Sequence, residues 1–384
     1  MPHDQHDQHD QPAHSRRDFL SMTSRSMLAA GLCGSAAAAL AQDPAPAGSG
    51  VSQKARWAVV GLGQLALDEV LPAFAQTKHC QLVSVISGER DKAQRTAKQY
   101  ELEAKNVYPY DDYDRLREND QIDIVYICLP NHLHAEYTIR AHRAGKHVLC
   151  EKPMAVTVEE SQRMIDAARA ANKKLMIAYR LRYEPFNQTV IDLARKQAYG
   201  KIKLISATNA QDVRAPNIRL QKSTGGGPLG DLGVYCLNAA RYITGEEPIE
   251  VSAMVHQPAD DPRFKEVDES FTFQLRFPSG VLAHCGCSFG TGEARHYRVL
   301  CAKGWIELDN AFAYGGQRLH VSDNRAIADV KLEPVNHFAA EMDHFLQCVL
   351  ADKPPRTPGE EGLADMKVMA AAMDAARSGK TVKV

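Results

Sequence analysis

A short apolar run, Trp57-Ala58-Val59-Val60, leads into Gly61-Leu62-Gly63-Gln64-Leu65-Ala66, and a helix-periodic stretch follows. A strand, a glycine turn and a helix in that order open a βαβ unit, which leaves few folds available. Gly61 permits the tight turn, Gly63 lets the backbone come close to a ligand, and the start of the helix offers unpaired N–H groups suited to a pyrophosphate. The spacing therefore predicts a dinucleotide site at Gly61, Leu62, Gly63, Gln64 and Leu65.

The strand–helix alternation continues through 81–87, 90–100, 123–129, 132–144 and 147–150. Thr157 and Glu160 form a capping box ahead of Met164, Ile165 and Ala168 at helical spacing, and 174–179 reads as another strand. Beyond Gly200 the period changes to two. Phe271, Phe273, Leu275 and Phe277 alternate with polar residues, and Pro278-Ser279-Gly280 turns the chain into a partner strand at 281–289. The fold class is α/β: a Rossmann domain over 55–179, then an α+β domain over 180–384 with a large, mostly antiparallel, open-faced sheet. An open sheet face suits a homodimer or homotetramer.

The N-terminus follows a different logic. Ser15-Arg16-Arg17-Asp18-Phe19-Leu20 matches a twin-arginine export signal, the apolar stretch 27–40 is too short to anchor in a membrane, and Ala39-Leu40-Ala41 is a cleavage site. The expectation is a signal over 1–41 engaging the Tat machinery, an extended arm over 42–54, and a periplasmic mature protein. The His-rich tract at His3, His6 and His9 reads as part of the removed leader. Cysteines without C-x-x-C spacing argue against a zinc site or a disulfide framework, so no metal is expected. With 46 basic and 47 acidic side chains among 384 residues, no basic stripe invites nucleic acid.

At the end of the second strand stands Ser87-Gly88-Glu89-Arg90-Asp91-Lys92, without the carboxylate that usually takes the ribose hydroxyls of NAD. Ser87 and Lys92 could together hold the 2′-phosphate of NADP, while Lys92 as a solvated helix residue and NAD as cofactor stay open. Cys150-Glu151-Lys152-Pro153 ends a strand at the carboxyl edge of the sheet, where such folds bind ligands. Asp231 and Tyr235 lie one turn apart after a glycine-rich run. Read alone, they are a helix-start carboxylate and a half-buried core tyrosine.

The GLGQLA turn, Leu129-Pro130-Asn131 with His134, the run Gly145 to Pro153, Ala178-Tyr179-Arg180 with Tyr183, Gly230-Asp231-Leu232-Gly233-Val234-Tyr235 and the segment Pro358 to Leu363 together resemble the Gfo/Idh/MocA oxidoreductase family. Within it they look most like the glucose-fructose oxidoreductase branch. The resemblance covers nearly everything from Arg56 to Val384. It implies that Lys152 contacts nicotinamide and substrate, that Tyr235 is the acid/base, and that Asp231 helps bind a sugar. It also implies cofactor contacts at Leu129, Pro130, Asn131, His134 and Glu151, with Arg180, Arg219 and Tyr314 reaching cofactor or sugar. Most of the family has His where this chain has Tyr235. Ile218 in place of an aromatic residue, Arg182 in place of a His, and a short arm depart from the branch.

Oxidising a sugar hydroxyl removes hydride from carbon and a proton from oxygen, so the site needs nicotinamide on one side and a base on the other. The expectation is a periplasmic enzyme with tightly bound NADP that oxidises a glucose-like aldose to its lactone and reduces a fructose-like sugar to a polyol. The alternatives are an aldose-aldose oxidoreductase, an NAD(P)-dependent sugar dehydrogenase, and a non-catalytic sugar or nucleotide binder.

Overall fold

The computed structural model describes residues 54–384. The export signal, its cleavage site and all but the last residue of the arm lie outside the described residues.

Six strands form the first sheet: β1 (Ala55–Val60), β2 (Cys80–Ile86), β3 (Val107–Tyr108), β4 (Ile124–Ile127), β5 (His147–Glu151) and β6 (Leu175–Ala178). Their order is β3-β2-β1-β4-β5-β6 and every pair is parallel. Helices cover both faces, which is why β4 and β6 are buried at every position and read as continuous apolar runs rather than alternating ones. The order reverses between β1 and β4, and the carboxyl ends of β1, β4 and β5 converge there on one crevice. Thr157 caps the helix Val158–Ala170 by accepting the Glu160 N–H at 3.1 Å, as its spacing predicts. Such a cap contributes about 1 kcal/mol.

Nine strands form the second sheet: β7 (Ile202–Asp212), β8 (Glu250–His256), β9 (Ser270–Arg276), β10 (Leu282–Ser288), β11 (Gly290–Cys301), β12 (Gly304–Asp309), β13 (Arg318–Ser322), β14 (Ile327–Val330) and β15 (Val382–Lys383). The order is β14-β13-β12-β11-β7-β10-β9-β8-β15, antiparallel except for the β7/β10 pair. On β9 the phenylalanines and Leu275 face the core, while Thr272, Gln274 and Arg276 are exposed on the other side. Cys285 and Cys287 pair with Phe273 and Phe271 and are buried on the same inner face; the eight described cysteines are all free thiols.

The helix His337–Leu350 returns to the first sheet, and the helix Gly359–Ser378 starts beside β6 and runs along β8 of the second sheet, features the sequence period did not announce. Phe345 of the former sits edge-on to Trp57 of β1, with ring centres 6.1 Å apart. The segment between the two helices bonds to β6: Ile177 N–H donates to the Thr357 carbonyl at 2.8 Å, and the Thr357 hydroxyl donates to the Ile177 carbonyl at 2.7 Å. The lobe that carries the glycine turn is thus completed by residues from the far end of the chain.

Candidate active site

The crevice beyond β1, β4 and β5 is a cleft of about 750 Å³ that runs from the glycine turn to the inner face of the second lobe. That volume is in the range of cofactor sites. Gly61 has φ +90, and a Cβ there would lie 2.4 Å from the Cys128 carbonyl oxygen, so only glycine lets β1 turn against the end of β4. A Cβ on Gly63 would meet nothing within 4 Å, because this residue faces the open cleft. Leu62, Gln64 and Leu65 line the same end, where the helix over 64–76 begins and its first N–H groups have no partners in their own helix. These residues fit a dinucleotide pyrophosphate: the cradle is open, unblocked by side chains and positive by dipole.

Ser87, Gly88, Glu89 and Lys92 line the cleft beside the glycine turn. The Ser87 hydroxyl oxygen accepts the Glu89 N–H at 3.1 Å, and Lys92 Nζ lies 2.6 Å from Glu89 Oε1. Lys92 therefore has an acidic partner that sequence reading did not assign it. A 2′-phosphate would compete with Glu89 for the ammonium.

Leu129, Pro130 and Asn131 follow β4 along the cleft wall. Asn131 Nδ2 donates to the Gly225 carbonyl at 2.9 Å and so ties the first lobe to the glycine-rich loop of the second. His134 is buried with its Nδ1 and Nε2 each 2.8 Å from a carbonyl, those of Pro153 and Leu129. Burial lowers its pKa while the two carbonyls raise it, and the ring braces the two loops that bear Asn131 and Lys152.

At the inner end of the cleft the residues of interest come together. Lys152 Nζ donates to the Asp231 carbonyl at 3.1 Å and to Asp231 Oδ1 at 3.3 Å. Arg219 Nε donates to the other oxygen, Oδ2, at 2.8 Å. Asp231 sits in a wide, π-type turn, Leu229–Gly233, that runs into the helix Val234–Thr244. Such turns recur at functional sites. The glycine run fixes Arg219: Gly226 and Gly227 donate backbone N–H groups to the Gln221 and Arg219 carbonyls at 3.0 Å, and a Cβ on Gly226 would lie 2.4 Å from the Arg219 oxygen.

Burial pushes the Lys152 ammonium toward neutrality, but Tyr235, Asp231 and Glu151 outweigh it and hold the pKa above the ordinary lysine value. Burial likewise opposes ionisation of Asp231, and Lys152 and Arg219 reverse it, leaving the carboxyl below the usual range. Lys152 Nζ stands 4.7 Å from the centre of the Tyr235 ring, and the Arg180 guanidinium stands 5.5 Å from it.

Arg180 is buried, and three of its contacts are structural. It donates to the Phe312 carbonyl at 2.7 Å, to the Ala313 carbonyl at 3.2 Å and to His337 Nδ1 at 3.0 Å. His337 Nε2 lies 3.0 Å from the Tyr314 carbonyl, which sets the tautomer: Nε2 carries the hydrogen and Nδ1 accepts. The Tyr314 ring packs 4.5 Å from the Arg180 guanidinium and is half-exposed at the rim.

Every site position expected from the sequence lines this one cleft. Within it, Arg219 holds Asp231 and Arg180 braces the 312–314 loop while facing Tyr235. Sequence reading missed Asp68, Glu69, Tyr110, Gln211 and Phe338, which also line it. No spacing signals them, since Phe338 arrives on the returning C-terminal helix and Gln211 on a long strand. Among the described residues no group of three or more His, Cys, Asp or Glu could hold a metal ion.

Comparisons with known proteins agree with this geometry. The family described as "Oxidoreductase family, NAD-binding Rossmann fold" (GFO_IDH_MocA) matches residues 55–179, and its C-terminal domain matches residues 187–307. The crystal structure of an aldose-aldose oxidoreductase from Caulobacter crescentus is similar at 40% identity and TM-score 0.85, over 86% of this chain and 100% of that one. A 3-ketoreductase from Actinomadura kijaniata, solved with NADP and TDP-benzene, is similar at 27% identity and TM-score 0.76, over 84% of this chain and 98% of that one. A D-xylose 1-dehydrogenase [NADP(+)] from Haloarcula marismortui is 28% identical over 86% of this chain and 93% of its own.

Proposed function

Because the chain belongs to the Gfo/Idh/MocA oxidoreductase family, we propose that it is an NADP-dependent sugar oxidoreductase that takes hydride from the anomeric carbon of an aldose and gives it to a second sugar. One observation carries the reading. Lys152, held protonated by Asp231, faces the Tyr235 ring at the end of a cleft that begins at the Gly61 turn.

Gly61 to Leu65 would hold the pyrophosphate, and Ser87 with Lys92 the 2′-phosphate. When bound, the nicotinamide supplies the hydride acceptor and donor. The protein's own part is proton transfer and charge. Tyr235 takes the hydroxyl proton as a lactone forms and returns a proton when the second sugar is reduced. Lys152 and Arg180 are the cations facing Tyr235, so negative charge developing on a sugar oxygen is met by preorganised positive charge. Asp231, anchored by Arg219, orients the Lys152 ammonium and accepts sugar hydroxyl donors.

The likeness to an aldose-aldose oxidoreductase at 40% identity favours an aldose as the second sugar. The glucose-fructose reading, with a ketose as acceptor and a polyol as product, rests on Tyr235 in place of the family's usual His. Ser15 to Leu20 supports Tat export to the periplasm, where replacement NADP is scarce, and hence a cofactor retained between the two half-reactions. The exposed face of the second sheet supports assembly as a homodimer or homotetramer.

Denaturing the purified protein and identifying the nucleotide it releases tests the cofactor. Adding glucose, then xylose or fructose, to fresh protein while following reduced-nicotinamide absorbance tests the chemistry. Protein that carries no nucleotide, or bound nicotinamide that no sugar reduces, would end this reading. Fractionation of cells expressing R16K/R17K against the parent tests export.

A further inference from the structure

Behind the cleft wall, three oxygens stand in a row. Tyr126 Oη on β4 lies 2.9 Å from Glu151 Oε1 at the end of β5, and 3.1 Å from Glu341 Oε1 on the helix His337–Leu350. Two hydrogen bonds between three oxygens need two protons, and the phenol supplies one. One carboxyl must therefore carry the other.

The surroundings decide which. Glu341 is fully buried, and its Oε2 has no hydrogen-bond partner. Tyr126, Glu151, Cys128 and Tyr183 face it, and Arg180 lies nearby but is hydrogen-bonded to Phe312, Ala313 and His337. Behind Tyr183 stand His344, one turn along the same helix, and Arg356. Glu151 borders the cleft, accepts the Lys152 backbone N–H at 3.2 Å on Oε2, and has the Lys152 ammonium beside it. A charge is less costly there. Burial raises both carboxyls, with Lys152 drawing Glu151 back down and the neighbouring Glu151 pushing Glu341 further up.

We propose that Glu341 is a permanently protonated carboxylic acid that donates to the Tyr126 oxygen, so that the Tyr126 hydroxyl donates to Glu151 and keeps it ionised and fixed in the cleft. Glu341 is a positioning residue: it never meets the sugar and acts through two others. An ionised Glu151 beside the nicotinamide end favours a cationic ring over a neutral one and helps keep Lys152 protonated. This role rests on the reading of the cleft as a nicotinamide site; the location of the proton does not.

Infrared difference spectra of the holoenzyme at neutral pH test it. The carboxylic-acid carbonyl band of the parent should be lost in E341Q, retained in E151Q, and displaced to higher frequency in Y126F, where its hydrogen bond is gone. Identical spectra for parent and E341Q, or loss of the band in E151Q instead, overturn the proposal. Should E341Q fold poorly, an unmoved band in Y126F overturns it equally. In E341L, Glu151 should protonate about one pH unit higher than in the parent, read as the pH at which its own acid band appears. The acid limb of kcat should move by the same amount in E341L and stay put in E341Q. If the bands behave as stated and the limb does not move, the proton's location stands and the nicotinamide role of Glu151 is overturned.

Discussion

Arg219 Nε bonds one oxygen of Asp231 while Lys152 Nζ bonds the other, so a single carboxylate clamps together a cation from each lobe. The clamp sets the height of Lys152 over the Tyr235 ring. Its two ends differ in exposure: the Lys152 side chain is 12% exposed and that of Arg219 is 46% exposed. The inner contact should therefore matter to chemistry, and the outer one to binding.

Tyr235→Phe removes the transferable proton and leaves the ring packed against Phe312, whose centre is 5.8 Å away. Turnover should fall by about 10²- to 10⁴-fold, the usual contribution of a positioned acid or base, with nucleotide content unchanged. Stopped-flow reduction of bound nicotinamide by an aldose measures it.

Arg219→Ala releases one oxygen of Asp231 but leaves the Lys152 bond. Because the arginine is partly solvated, the loss is modest: KM for the sugar should rise roughly 3- to 10-fold with little change in melting temperature. Asp231→Asn should cost more, since it also removes the charge that holds Lys152. Steady-state kinetics of the two variants side by side provide the check.

Ser87→Asp places a carboxylate at the end of β2, where Ser87 now binds the Glu89 N–H. Repulsion of a 2′-phosphate should shift preference from NADP toward NAD by at least about tenfold. Nucleotide exchange after mild unfolding, followed by affinity measurements for both cofactors, decides it.

Acid should destabilise the fold through its histidines before it reaches most carboxylates. Burial lowers His142, His147 and His337 to about 4 in the folded protein, against about 6.5 in an unfolded chain. Between those values the unfolded chain binds protons that the folded one does not. Stability is thus intact above about pH 6.5 and declines as pH falls toward 4. Unfolding near pH 5 should take up about three protons from these groups, measurable by calorimetry in buffers of different ionisation enthalpy.

Much of the first lobe was legible because its signals are local. The turn at Gly61, the capping box at Thr157 and the period-two run at Phe271 each state a backbone conformation within a few residues, and each is found where it was expected. The two-residue strand Val107–Tyr108 is too short to carry such a signal, and it went unread. The C-terminal helices escaped for a different reason: their period shows a helix but not which sheet it covers.

What the sequence determined by itself is the order of strands, turns and helices, and with it the edge of the sheet where a dinucleotide can lie, since steric limits on glycine and the periodicity of apolar residues act within one segment. Only the tertiary structure decided that Lys152 and Arg219 share the Asp231 carboxylate, that Asn131 reaches across to Gly225, and that Glu341 returns to stand behind Glu151. Charges and hydrogen bonds act across a few ångströms of space, and which residues come that close depends on how the two sheets and the returning helices pack.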